Sequence, residues 1–132
     1  MTLVVDASVV VAALIDTGPV GLWAEGQIVA GSLAAPHLMP VEVANILRRS
    51  ALSGEISPET ASLAHHDLLS LRLDLFPYST CAERVWELRS NVTAYDAWYV
   101  ALAETLGASM ATLDVRLSRA AGPRCTFIQP PA

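Results

Sequence analysis

The chain has 132 residues, 53% hydrophobic and 16% charged; that length favours one domain over residues 1–132, and that composition excludes a disordered chain. The formal net charge of −5 argues mildly against non-specific nucleic-acid binding, although clustered acids with a divalent metal change the local sign. All eight basic residues are Arg, and no apolar stretch reaches the roughly 20 residues of a membrane span.

The opening run Thr2-Leu3-Val4-Val5 reads as a parallel strand buried on both faces. It has no basic flank and Asp6 interrupts it, so a first strand is expected rather than a signal peptide. A helix is predicted over Ser8 to Ile15, ended by Asp16-Thr17-Gly18-Pro19, and a second over Val20 to Ala30, stopped at Gly31. A short strand, Leu33 to Ala35, precedes Pro36. Pro40 opens a helix to about Leu52 that ends at Gly54, and Ser57-Pro58 caps another to about Leu71. Leu73 to Pro77 is strand-like. Thr80 and Glu83 fit a capping box for a helix to about Arg89. Thr93 opens a helix that ends at Gly107. A strand over Ser109 to Leu113, a helix over Asp114 to Ala121 and a strand over Cys125 to Ile128 complete the chain. The alternation predicts an α/β sandwich with a mainly parallel sheet, whose sites form beyond the carboxyl ends of the strands.

Four acids stand in apolar surroundings: Asp6, Glu42, Asp96 and Asp114. A charge among apolar residues is costly unless it is paired or binds a metal. Each has a structural alternative. Asp6 and Asp114 can cap helices, Glu42 can belong to a solvated stripe with Asn45 and Arg49, and Asp96 completes the capping box Thr93-Ala94-Tyr95-Asp96. Together they form the oxygen-rich set that Mg²⁺ prefers, and such a metal activates water against a phosphodiester. Ser8 and Thr112 offer hydroxyls to orient that water. Arg116, close to Asp114, is the best-placed phosphate contact; Arg49 and Arg89 read as solvated helix residues.

Other groups point nowhere in particular. His65 and His66 are adjacent on a helix and diverge by about 100°. Trp86, Trp98 and Tyr99 read as core or interface residues. Cys81 and Cys125 match no metal or redox spacing and are expected as thiols in a reducing cytosol.

The segment Val4-Val5-Asp6-Ala7-Ser8-Val9-Val10 resembles the opening motif of PIN-domain proteins. Pro40 to Leu47 resembles their second motif, Thr93 to Ala103 their third, and Thr112-Leu113-Asp114 their fourth, all in order. The length and the Tyr95-Asp96-Ala97 form of the third motif are similar to VapC-type toxins. The resemblance implies a three-layer α/β/α sandwich and a Mg²⁺- or Mn²⁺-dependent endoribonuclease that cleaves structured RNA, transfer or ribosomal. It also implies a homodimer, and inhibition by a VapB-type antitoxin that docks on a helical hairpin within Leu38 to Ala64. Carried over by motif, Asp6, Glu42, Asp96 and Asp114 would be the catalytic and metal-binding acids. The rival classes fare poorly. Phosphohydrolases of the haloacid-dehalogenase type want a second acid where Ser8 stands, receivers want a Lys, and no phosphate-binding glycine motif is present. The alternative is a catalytically silent module of the same fold for RNA or protein binding, which need not retain four mutually repelling acids.

Overall fold

The computed structural model describes residues 1–132. Five strands form one sheet: β1 (Thr2–Val5), β2 (Ser32–Pro36), β3 (Leu73–Phe76), β4 (Ser109–Ala111) and β5 (Phe127–Ile128). All pair in parallel, in the order β3-β2-β1-β4-β5. The helices are α1 (Ala7–Ile15), α2 (Pro19–Val29), α3 (Met39–Leu52), α4 (Pro58–Ser70), α5 (Ala82–Glu87), α6 (Ala94–Leu106) and α7 (Val115–Ser118).

The chain winds one way from β1 to β3, then returns across the sheet to β4. Right-handed crossovers therefore put α1 to α4 on one face and α5 to α7 on the other, giving a three-layer α/β/α sandwich. The packing agrees: α1 meets α2, α3 and α4, while α6 meets α5 and strands β1, β2 and β4. β1 is central, which is why Val4 and Val5 are wholly buried and apolar on both faces. Val4 pairs with Ala34 on one side and Met110 on the other. Between β1 and β4 the winding direction reverses. That is where ligands bind in open parallel sheets, because crossovers leave in opposite directions and open a crevice at the strand ends.

Two glycines shape the frame. A Cβ at Gly21 would sit 1.7 Å from the Asp16 carbonyl oxygen, so only glycine lets α2 fold back onto α1. Gly107 takes φ +61° and closes α6 in the left-handed conformation expected of a helix-ending glycine. No helix is long and apolar enough to cross a membrane.

Three expected elements differ. The Thr80–Glu83 capping box does not form: Thr80 lies in a short 3₁₀ turn (Tyr78–Thr80), its hydroxyl donates to the Pro77 carbonyl at 3.0 Å, and Cys81 is the N-cap of α5. The turn shortens the helix by a residue and removes Thr80 from its end. The helix after Asp114 stops at Ser118 and the last strand begins only at Phe127, because Gly122 at φ +107° and Pro123 break the intervening chain.

Candidate active site

Asp6 follows β1 directly, and its N–H continues the ladder by donating to the Ala111 carbonyl at 3.2 Å. Its carboxylate caps α1. Oδ1 accepts from the Val9 N–H at 3.1 Å and the Ser8 hydroxyl at 2.5 Å, and Oδ2 accepts from the Thr112 hydroxyl. Ser8 and Thr112 are themselves anchored, accepting from the N–H groups of Leu113 (3.2 Å) and Asp114 (3.0 Å). Both hydroxyls thus direct their hydrogens at Asp6 and tie the end of β1 to the end of β4. In the structure both hydroxyls hold the Asp6 carboxylate in place. Asp6 is 9% exposed. Burial pushes its carboxyl up, and these donors pull part of the way back.

The other acids arrive at helix starts. Glu42 lies in the first turn of α3, where Pro40 is tolerated because the first helical N–H groups lack partners anyway. Asp96 lies in the first turn of α6, its backbone N–H held by the Thr93 hydroxyl oxygen at 3.2 Å. Asp114 caps α7 by accepting from the Leu117 N–H at 3.1 Å. So the capping alternatives for Asp6 and Asp114 are real, and both caps belong to the site. Burial raises the Glu42 carboxyl, with the charges of Asp96 and Asp6 adding to it. Burial likewise raises Asp96, followed by the charges of Asp114 and Asp6.

All four acids, with Ser8 and Tyr99, line one cavity of about 170 Å³ at the switch between β1 and β4. A cavity of about 460 Å³ at the other end of β4, lined by Glu104, Ser109 and Cys125 among others, has no such cluster. No three acids close into a ready cage of metal ligands. Acceptor positions remain, however. An ionised carboxylate has about four; Asp6 uses three of them, and one oxygen each of Glu42 and Asp114 takes no hydrogen bond. An all-oxygen set with spare positions fits a hydrated hard cation, which is held through one or two carboxylates and keeps several waters. It does not fit a closed zinc site, which wants nitrogen and sulfur.

Tyr99 is not legible in the sequence as a site residue. It is 3% exposed, as a core residue should be, but its hydroxyl donates to Glu42 Oε1 at 2.5 Å and its ring lines the cavity wall. The one signal for it is its position three residues after Asp96, on the same helix face. Arg116 lines a hollow that shares Asp96 and Asp114 with the cavity. Arg89 does not approach: its guanidinium stacks on Trp86, 4.8 Å from the ring centre, and donates to the Trp86 carbonyl. Arg49 is exposed on the last turn of α3.

Comparison with known proteins agrees with this fold. The PIN domain family model matches residues 3–123. Ribonuclease VapC1 of Mycobacterium tuberculosis is 44% identical over 123 residues, 92% of each chain. Among solved structures, VapBC2 from Rickettsia felis, bound to a DNA fragment from their promoter, superposes with a TM-score of 0.70 at 15% identity, covering 98% of both chains. Mycobacterium tuberculosis VapC20, a sarcin-ricin loop cleaving toxin, superposes at 0.67 with 17% identity over 88% of this chain and 92% of its own. With the family matched across nearly the whole chain and a relative this similar, the chain belongs to the PIN domain family, in its VapC group.

Proposed function

We propose that this protein is a divalent-metal-dependent endoribonuclease, the toxin of a toxin–antitoxin pair, acting on structured RNA such as tRNA or rRNA. The observation that carries the reading is the meeting of Asp6, Glu42, Asp96 and Asp114 at one small cavity. Those acids repel one another, and burial raises the carboxyls of Asp6, Glu42 and Asp96, so the cluster favours a bound cation. Glu42, Asp96 and Asp114, with the remaining acceptor position of Asp6, would hold Mg²⁺ or Mn²⁺. When bound, such an ion activates the attacking water and stabilises charge building on the phosphodiester. The chain's own share is positional. Ser8 and Thr112 lock Asp6, Tyr99 locks Glu42, and Arg116 offers a cation to the phosphate.

Similarity to ribonuclease VapC1 supports the ribonuclease reading, and the sarcin-ricin loop cleavage ascribed to VapC20 supports a structured RNA as substrate. A VapB-type antitoxin and a second copy of the chain are the proposed protein partners. Val41, Leu52, Leu63 and Leu69, exposed on α3 and α4, supply apolar surface for them.

The test is incubation of the purified chain with total cellular RNA and Mg²⁺, alongside Asp6→Ala, Asp96→Asn and an EDTA control. Discrete fragments that vanish in the variants and with EDTA are expected. A folded, metal-replete wild type that cuts nothing would return the protein to the silent-module reading.

A further inference from the structure

Beside the acid cavity runs a hollow of about 460 Å³ that shares Asp96 and Asp114 with it. Its floor is aliphatic: Val92 and Leu117 are buried, and Ala120 is half-buried. Two polar side chains line it without any partner in the protein. The Asn91 amide makes no hydrogen bond. The Arg116 guanidinium makes no ion pair, although two carboxylates border the same hollow. Thr93, by contrast, is engaged in capping α6. The volume lies within the roughly 300–1,000 Å³ of small-ligand pockets.

From this arrangement, and resting on the ribonuclease reading above, we infer that the hollow is a nucleotide subsite. It takes one unstacked base of the RNA next to the scissile phosphate, laid on Val92, Leu117 and Ala120. The Asn91 amide reads the edge of that base, and Arg116 holds its phosphate. Continuity with the acid cavity makes the occupant part of the substrate rather than a separate ligand. An aliphatic floor accepts any base, so discrimination falls to the one side chain with both donors and an acceptor to offer. Sequence-specific recognition of RNA works in this way, on bases splayed out of loops and read along their edges. The subsite also answers an electrostatic problem. A phosphate beside four carboxylates needs a compensating cation, and Arg116 is the cation that borders two of them.

The experiment uses the full chain with Mg²⁺ and a pool of RNA hairpins randomised around the loop, with the cut ends sequenced for wild type, Asn91→Ala, Asn91→Asp and Arg116→Ala. Thermal unfolding checks that each variant is folded, as expected for exposed positions. In Asn91→Ala the base preference at one position flanking the cut should fall about tenfold, the scale of a single bidentate base contact. Asn91→Asp, which removes the donors and keeps the acceptor, should shift the preferred base. Arg116→Ala should raise KM and reduce the salt slope by about one while keeping the base preference. Unchanged preference in both Asn91 variants of an active enzyme would overturn the subsite and leave the ribonuclease reading standing. So would variants that alter only inhibition by a partner protein, since the hollow would then belong to that partner. A wild type inactive on every RNA would overturn both.

Discussion

Tyr99 and Glu42 are 57 positions apart, and one hydrogen bond between them aligns α3 with α6 at the cavity. Burial, and then Glu42 itself, hold the Tyr99 hydroxyl well above its ordinary value, so it stays a donor throughout the working range. Tyr99→Phe keeps the packing and leaves one carboxylate oxygen without its donor, at a cost of about 1–3 kcal/mol. RNA cleavage should fall roughly 10- to 100-fold, since small misplacements of a reacting group cost that much; wild-type kcat in the variant would show that Glu42 needs no tether. Asp96 makes a different prediction. Its carboxyl is raised by burial and by Asp114 and Asp6, so metal-free protein loses stability as pH rises through the folded-state value. Asp96→Asn should therefore raise the melting temperature of metal-free protein at neutral pH, by about 2–4 °C. The gain should vanish below the ordinary carboxylate range, where the wild-type acid is neutral too. Melting curves at about pH 7 and below about pH 3.5 decide it, and a lower midpoint in the variant at neutral pH would contradict the repulsion. The two residues also mark what the sequence makes legible. Asp96 is readable because an acid in an apolar run asks for a reason. Tyr99 is not, because a buried Tyr is ordinary and its partner lies in another motif.

At the scale of elements, punctuation carries the reading. Gly54, Ser57-Pro58, Thr93 and Gly107 bound helices as local chemistry demands, and the structure ends or begins helices beside each. Where long-range contacts decide, local chemistry misleads. The start of α5 is such a place. Its helix is held by Arg84, which reaches Glu104 on α6 at 2.7 Å and the Gly122 carbonyl at 2.9 Å, while the Arg124 N–H donates to the same Glu104 at 2.7 Å. Three segments of the chain thus close around one carboxylate, a link invisible to a local capping pattern. Burial pushes Glu104 up, but Arg84 and Arg124 hold it below its usual range. That stability is present above the ordinary Glu value and is lost as pH falls through the depressed folded-state one. Arg84→Ala should cost about 1–2 kcal/mol at neutral pH, as both side chains are only about a fifth exposed or less. In urea unfolding the difference from wild type should shrink as pH falls below the ordinary Glu value; a constant difference would assign the loss to packing instead.

For the molecule as a whole, part of the apolar excess in the composition lies on α3 and α4. Leu52, Leu63 and Leu69 are each 65–74% exposed, and all lie on α3 or α4. Leu63→Glu with Leu69→Glu should weaken self-association or antitoxin capture at least tenfold, while the melting temperature holds, because neither residue supports the core. Sedimentation and antitoxin titration would reveal it, and unchanged association would locate the partner surface elsewhere. The order of the chain has a consequence of its own. The central strand is made first, its neighbour β4 almost last, and Asp6 gains its Thr112 donor only when they pair. On the ribosome, a chain that has reached Arg89 carries just two of the four acids and no floor beneath them. Any cutting power therefore arises only with the final stretch of translation. A truncated or stalled product that ends before Asp96 lacks half of the carboxylates, so on the proposed reading the site assembles only after the α3–α4 surface has been made.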